Sequence, residues 1–324
     1  LVRRYLTFRG FGVRLVVNLA DIDDRTVTQC LDEGAEIREF TDRWEQAFRR
    51  DMEALRVLPA DTYPRASEHV GEMIERTRQL LDRGLAYEKL RSVYFDLSRA
   101  EEYGRLVPVD RGEVREGATV DFDYYEKDDP RDFTLFKRST LAELKAGIYW
   151  QTPWGNARPG WHVECCTMAG KHVGQPFDLH LASTDLMFPH GENEIAIAEG
   201  LGQPFARMWL HSEVVVADGH KVSRLLRNDV TLEQLLDRGQ RPAAVRYWLL
   251  AQHYRRVLRH DPAELQRAER SVGRLDAFVA RLEFASPGGP VPEADQRIYE
   301  ARQGFLAAID ADLKVSAALA PLFA

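Results

Sequence analysis

Cysteine is nearly absent from this chain: three residues in 324, at positions 30, 165 and 166. That excludes a disulfide framework and fits a reducing compartment, so a cytoplasmic protein is expected. Long apolar runs are missing as well. None approaches the roughly 20 residues a membrane helix needs, and the opening "LVRRYLTFRG" lacks the apolar core of a signal peptide; no membrane partner is expected. Positive charge is not in excess either. The net charge of −7 argues against a uniformly basic nucleic-acid coat, yet leaves room for local basic patches. There is no initiator methionine, and the chain closes on "SAALAPLFA" in what reads as mid-helix. A piece of a longer protein is therefore expected.

A composition 44% hydrophobic and 29% charged is that of a folded chain, and its length suits two domains or one with an insertion. "VRLVVNLAD" (13–21) reads as a strand covered on both faces, and the acids of "DIDDR" suit the start of the helix that follows. Phe40, Trp44, Phe48, Met52 and Leu55 recur at helical spacing. A further helix follows Pro64 and should stop near Gly84. Residues 92–150 change character: "SVYFDLS" and "ATVDFDYYEK" read as strands around the turn-like "DRGEVREG". Alternation then resumes, with a helix from Trp161, a strand at "FDLHLA", a helix near Pro189 and a strand at "EVVVADG". After Thr231 the pattern is helical. "TLEQ" and "DPAE" read as capping boxes, Leu265, Val272, Leu275, Val279 and Leu282 make one stripe, and "SPGGPVPEAD" is a loop. The fold class is α/β followed by an α-helical region.

Two stretches carry chemistry. "GWHVECCTM" (160–168) holds the only adjacent thiols. Free cysteine is most often a small buried hydrophobe, so packing competes with ligation here. The ligand reading needs partners, and "FPHGENEIA" offers His190 and Glu194, four apart on one helix face. Thiolate, imidazole and carboxylate are all zinc ligands. The pattern is neither CxxC nor HExxH, which disfavours a zinc hydrolase built on a helical histidine pair. The second stretch is "DGHKVSRLLRN" (218–228), where Lys221, Ser223, Arg224 and Arg227 follow a turn-forming Asp-Gly. Cations with a hydroxyl suit a polyphosphate; a solvated basic turn is the plainer alternative.

Taken together, these segments resemble the catalytic core of the cysteinyl-tRNA synthetases, a class I aminoacyl-tRNA synthetase family. "RYLTFRGFGVRLVVNLADIDDR" is similar to the family segment ending Asn-Ile-Thr-Asp-Ile-Asp-Asp-Lys. "GLAYEKLRSVYFDLS", "DPRDFTLFK" and "WQTPWGNARPGWHVECCTM" resemble its insertion and zinc-helix segments, and "DLMFPHGENEIA" resembles Asp-Leu-Met-Phe-Pro-His-His-Glu-Asn-Glu-Ile-Ala. "HKVSR" stands where the family has Lys-Met-Ser-Lys-Ser. The resemblance implies a Rossmann-type core lacking its first strand, in two parts (1–91 and 151–229) around a connective insertion (92–150), then a helical tRNA-contact region from 230 to 324. It implies a zinc site with Cys165, His190 and Glu194 among its ligands and Cys166 as packing. Trp161, His180 and Asp185 would line the amino-acid and nucleotide pocket, and Lys221, Ser223 and Arg224 would act on ATP. The implied partners are cysteine, ATP with magnesium, and tRNA(Cys), on a monomeric cytoplasmic ligase.

The chain departs from the family pattern as well. The family's His-Ile-Gly-His signature and first zinc cysteine precede Leu1. Its Gly-Gly-Gly run is Leu181, Ala182 and Ser183 here, and the Thr before "DIDD" is Ala20. The second His of its pair is Gly191, and Arg224 and Leu225 replace a Lys and a Ser. Three readings stay open on these residues: a working cysteinyl-tRNA synthetase core, a core with altered or lost activity that binds RNA, a metabolite or a partner, and a ligase acting on a small amine, as in the mycothiol pathway.

Overall fold

The structure is a computed structural model, and it describes residues 1–100, 102–108, 127–223, 228–284, 289 and 292–323. Backbone contacts divide the chain into two compact units. The larger holds 2–49 and 59–210; the smaller holds residue 1, 50–58 and 211–324. The segment 151–229, expected as one half of the core, is thus shared between them at Leu210.

The larger unit runs α1 (Val2–Phe8), α2 (Asp24–Glu33), most of α3 (Ile37–Ala54), α4 (Val70–Asp82), β1 (Ala86–Lys89), β2 (Ser92–Phe95), β3 (Phe133–Arg138), α5 (Leu141–Lys145), β4 (Trp150–Thr152), β5 (Gly155–Pro159), α6 (Trp161–His172), β6 (Phe177–Ser183), α7 (Glu192–Gly200) and β7 (Ala206–Ser212). Five strands form an antiparallel sheet in the order β1-β2-β3-β5-β4, and β6 pairs with β7. Helices α4, α6 and α7 pack on a core that includes Met73, Leu80, Phe95, Leu135, Phe136, Val163, Met168 and Ile197. The helix starts follow local chemistry. Asp23 caps α2 by accepting the Thr26 N–H at 2.7 Å. Thr140 and Glu143 close a full capping box on α5. Gly160 begins α6 because a Cβ there would meet the Thr134 carbonyl at 2.2 Å.

The expected strand at 13–21 is not a full strand. It pairs in parallel with 62–65 through two isolated bridges, Val16 with Thr62 and Leu19 with Arg65. Val17 donates to Thr62, Leu19 donates to Pro64, and Ala66 donates to Leu19. The rung between them would be donated by residue 64, and proline has no N–H to give. The predicted strand "ATVDFDYYEK" lies, all but Lys127, outside the described residues.

The smaller unit contains β8 (Val215–Ala217), β9 (His220–Lys221), α8 (Leu232–Asp237), α9 (Pro242–Ala251), β10 (Leu258–Arg259), α10 (Pro262–Glu283), α11 (Pro292–Asp310) and α12 (Val315–Phe323). The "TLEQ" box forms as expected on α8. "DPAE" does not form a reciprocal box: Asp261 caps Ala263, but Glu264 turns to Arg267 instead. The stripe on α10 is covered only in its first half. Leu265 and Val272 are buried, whereas Val279 and Leu282 are more than half exposed.

One buried ionic network ties the sheet to α2 and α5. Arg158, on β5, donates to Glu143 through Nε and Nη2 at 2.9 and 2.7 Å, to Asp24 at 2.9 Å and to the Ile22 carbonyl at 3.1 Å. Lys137 on β3 pairs with the other Asp24 oxygen. Burial works against the Asp24 charge, yet Lys137 and Arg158 hold its carboxyl below the usual carboxylate range. Glu143 and Arg158 are both about 95% buried, at 5% and 4% exposure. Glu143→Ala therefore leaves a buried guanidinium without its main partner and should cost about 3–5 kcal/mol in urea unfolding. Replacing both partners, Glu143→Leu with Arg158→Met, should recover most of that loss; no recovery would mean that the pair's hydrogen bonds, and not its unpaired charge, set the cost.

Candidate metal and nucleotide sites

The first turn of α7 reads Glu192, Asn193, Glu194, and all three are buried, at 0, 2 and 1% exposure. Acids suit a helix N-terminus, but burial demands a partner for each. Glu192 accepts four successive backbone N–H groups, from Gly104 (3.0 Å), Arg105 (3.1 Å), Leu106 and Val107 (2.9 Å). Asn193 accepts from the Tyr103 hydroxyl at 2.5 Å. Glu194 has no such backbone partner among the described residues. Its Oε1 lies 3.6 Å from His190 Nε2 and its Oε2 lies 3.3 Å from His180 Nε2, with no hydrogen bond of good geometry to Oε2.

Cys165 completes the cluster. Its sulfur, a His190 ring nitrogen and a Glu194 oxygen all lie within 4.8 Å of one another, the sole such grouping of three or more among the described residues. The elements that bring them together are α6 for Cys165, the turn 187–191 for His190 and α7 for Glu194. Burial, with Glu194 and Glu164 nearby, pushes the Cys165 thiol well above its ordinary range, and Asn18 only partly opposes this. Burial also opposes the Glu194 charge, but His190, His180 and His162 together hold that carboxyl below its usual range. The donor set is one soft sulfur, one imidazole and one buried carboxylate, and it fits a zinc-like ion.

Two of the residues expected to line the amino-acid pocket stand against this cluster. The Trp161 ring is 4.1 Å from that of His190, and the His180 ring is 4.2 Å from that of Trp209. Asp185 lies in the turn 184–186 and accepts from the Ser183 hydroxyl. His162 was not singled out from sequence, although it sits in the same motif as Trp161. Its Nδ1 is 2.9 Å from His190 Nδ1. One of the two rings donates to the other across this contact, and donation from His190 Nδ1 would leave its Nε2 unprotonated, the tautomer a metal ligand needs. The other two cysteines pack. Cys166 is fully buried, with its thiol pushed up to about 12 by burial, and Cys30 lies in a satellite cluster with Val27, Phe40 and Ile148.

The second site belongs to the smaller unit. Asp218 and Gly219 have φ of 52° and 80°, the positive pair that a two-residue type I′ hairpin turn needs. The turn joins β8 to β9, pairing Val216 with Lys221. Lys221 is exposed at the end of β9, and Ser223 follows two residues on. Arg224 lies outside the described residues.

Gly191, where the resemblance leads to the expectation of a second histidine, is tightly packed. A Cβ there would sit 3.0 Å from Leu106 Cδ1, 3.3 Å from the Leu186 carbonyl and 3.4 Å from Trp209. A side chain at 191 would need Leu106 and the facing atoms to give way by a few tenths of an ångström. Gly191→His should destabilise the larger unit by about 1–3 kcal/mol, the usual cost of overpacking. The double variant with Leu106→Ala should regain most of it in thermal unfolding. Equal losses in single and double variants would show that Leu106 does not set the limit.

Comparison with known proteins places these features in a family. The profile described as "tRNA synthetases class I (C) catalytic domain" matches residues 1–270. The Cysteine–tRNA ligase of Methanosarcina acetivorans is 41% identical over 301 residues, covering 92% of this chain and 62% of its own length. That of Chlamydia muridarum is 40% identical over 327 residues, covering all of this chain and 69% of its own. The chain thus spans about two thirds of these relatives. Among solved structures, Mycobacterium tuberculosis methionyl-tRNA synthetase bound by methionyl-adenylate superposes with a TM-score of 0.70 at 14% identity, covering 99% of this chain and 75% of that one. The fold is that of the class I synthetases, and the chain belongs to the class I (C) tRNA synthetase catalytic-domain family.

Proposed function

We propose that the protein to which this chain belongs is a cysteine–tRNA ligase. It activates cysteine with ATP and magnesium, releasing pyrophosphate, and passes the cysteinyl group to the 3′ end of tRNA(Cys). The observation that carries this reading is the convergence of Cys165, His190 and Glu194 in one buried cluster, on segments that match relatives named for that reaction. Zinc is the ion the donor set fits, and when bound it would offer a soft-ligand position that favours a substrate thiolate over a serine hydroxyl. A site built on one such polar bond separates near-isosteres far better than an apolar pocket does.

The remaining roles fall to residues of the chain. Trp161 and His180 wall the cluster, and Asp185 in the turn after β6 is assigned to the substrate pocket. Lys221 and Ser223, with Arg224, meet the ATP phosphates, where positioning and charge stabilisation do most of the chemistry. Residues from about 230 onward begin the tRNA-contact region, and 92–150 form the insertion. The enzyme works as a cytoplasmic monomer in this reading. No described helix is long and apolar enough to cross a membrane.

The test is ATP–pyrophosphate exchange on the complete protein. Exchange is expected with cysteine and not with serine. No exchange from a folded, zinc-bearing protein would sink the ligase reading. Two variants separate the sites. Cys165→Ala should lose most bound zinc by elemental analysis and with it the exchange. Lys221→Ala should keep its zinc but lose ATP use by about 100-fold, as removal of one charge-stabilising donor commonly does. Loss of zinc in Lys221→Ala would mean that the residue acts through folding.

A further inference from the structure

Asn228 closes a small ring with the segment that carries Lys221 and Ser223. Its side-chain oxygen accepts the Ser223 backbone N–H at 2.8 Å, and its amide nitrogen donates to the Lys221 carbonyl at 3.1 Å. The amide has only one orientation that works, since an N–H must donate and a carbonyl must accept. A carbonyl of one residue and the N–H two residues on are the pair that a neighbouring strand engages in a parallel ladder. The Asn228 side chain therefore imitates one residue of an extra strand beside β9. On the opposite side, the Val222 N–H donates to the Val215 carbonyl at 2.9 Å. Residues 221–223 are thus fixed on both edges, by β8 on one and by a single side chain on the other. The hairpin turn at Asp218 and Gly219 fixes where this segment starts.

We infer that Asn228 is a positioning residue: it sets the backbone of Lys221–Ser223 so that the lysine ammonium and serine hydroxyl meet the phosphates together. The inference rests on the ATP-dependent reading above. A lysine on a four-carbon stem can reach many places, so charge alone does not fix its geometry. Misplacement of about 1 Å is enough to cost on the order of 100-fold in rate. Two hydrogen bonds from one planar amide supply that constraint without touching ATP.

The experiment compares wild type, Asn228→Ala and Asn228→Asp in the complete protein. Each is measured by cysteine-dependent ATP–pyrophosphate exchange and by hydrogen exchange at the Ser223 amide, with melting temperature and zinc content as controls. In Asn228→Ala, kcat should fall about 10- to 100-fold, with KM for cysteine, zinc content and melting temperature unchanged. The Ser223 amide should lose its protection. Asn228→Asp keeps the size and the acceptor but sets an oxygen against the Lys221 carbonyl, so it should remain impaired. An Asn228→Ala protein with wild-type kcat and an unprotected Ser223 amide would overturn the inference, as would an Asn228→Asp protein with full activity. Wild type without any exchange overturns the ligase reading itself. That failure is told apart from failure of the ring, because the loss of Ser223 protection in Asn228→Ala is read without turnover.

Discussion

The larger unit depends on one turn of helix. Three consecutive polar side chains at the start of α7 are taken out of water, and a buried carboxylate without partners costs several kcal/mol. Each is settled differently, and each solution fixes another part of the unit. Glu192 gathers four backbone N–H groups and so dictates the path of residues 104–107. Asn193 anchors Tyr103 just before that path begins. Glu194 is left to three histidines from α6, β6 and the turn before α7. The first two are structural and nearly saturated. The third has one oxygen without a hydrogen bond of good geometry, and its carboxylate lies within 4.8 Å of the Cys165 sulfur and a His190 nitrogen, a grouping that could hold a cation.

The same cluster sets the protonation state of the thiol. Cys165 is buried beside two carboxylates, so with no cation nearby its proton is held more tightly than in water. A divalent ion bound there would oppose that effect with its own positive charge and would favour the thiolate as a ligand. The histidines already hold the Glu194 carboxyl below its usual range despite its burial.

Much of this was legible in the sequence because the signals are local. The short spacing of His190 and Glu194 brings their side chains to 3.6 Å although His190 lies in the turn before α7, and "TLEQ", "DIDDR" and Asp-Gly name their own caps and turn. What was not legible depends on partners distant in the chain. Residues 13–21 have the composition of a strand, but their ladder is interrupted by Pro64, more than forty positions away. "DPAE" has the letters of a capping box, yet Glu264 finds a better partner in Arg267. The lower half of the α10 stripe has the right period but is more than half exposed at Val279 and Leu282 among the described residues. Glu192 reads as an ordinary helix-start acid, and nothing near it in sequence announces a loop almost ninety residues earlier. Asn228 is likewise unremarkable until Lys221 and Ser223 are placed beside it.

The departures from the family pattern also read differently once contacts are known. Gly191 looks, in sequence, like the loss of a histidine next to a metal ligand. In the structure the Leu106 side chain stands beside Gly191, and Leu106 is held there through its own N–H on Glu192. Positions 191 and 106 are therefore linked through a carboxylate next to Gly191. A deleted side chain tends to leave a cavity, because interiors relax only partly around it. Around Gly191 there is no such gap: Leu106, Leu186 and Trp209 all stand within 3.4 Å of where a Cβ would be. This close packing at 191 coexists with an assembled cluster of Cys165, His190 and Glu194.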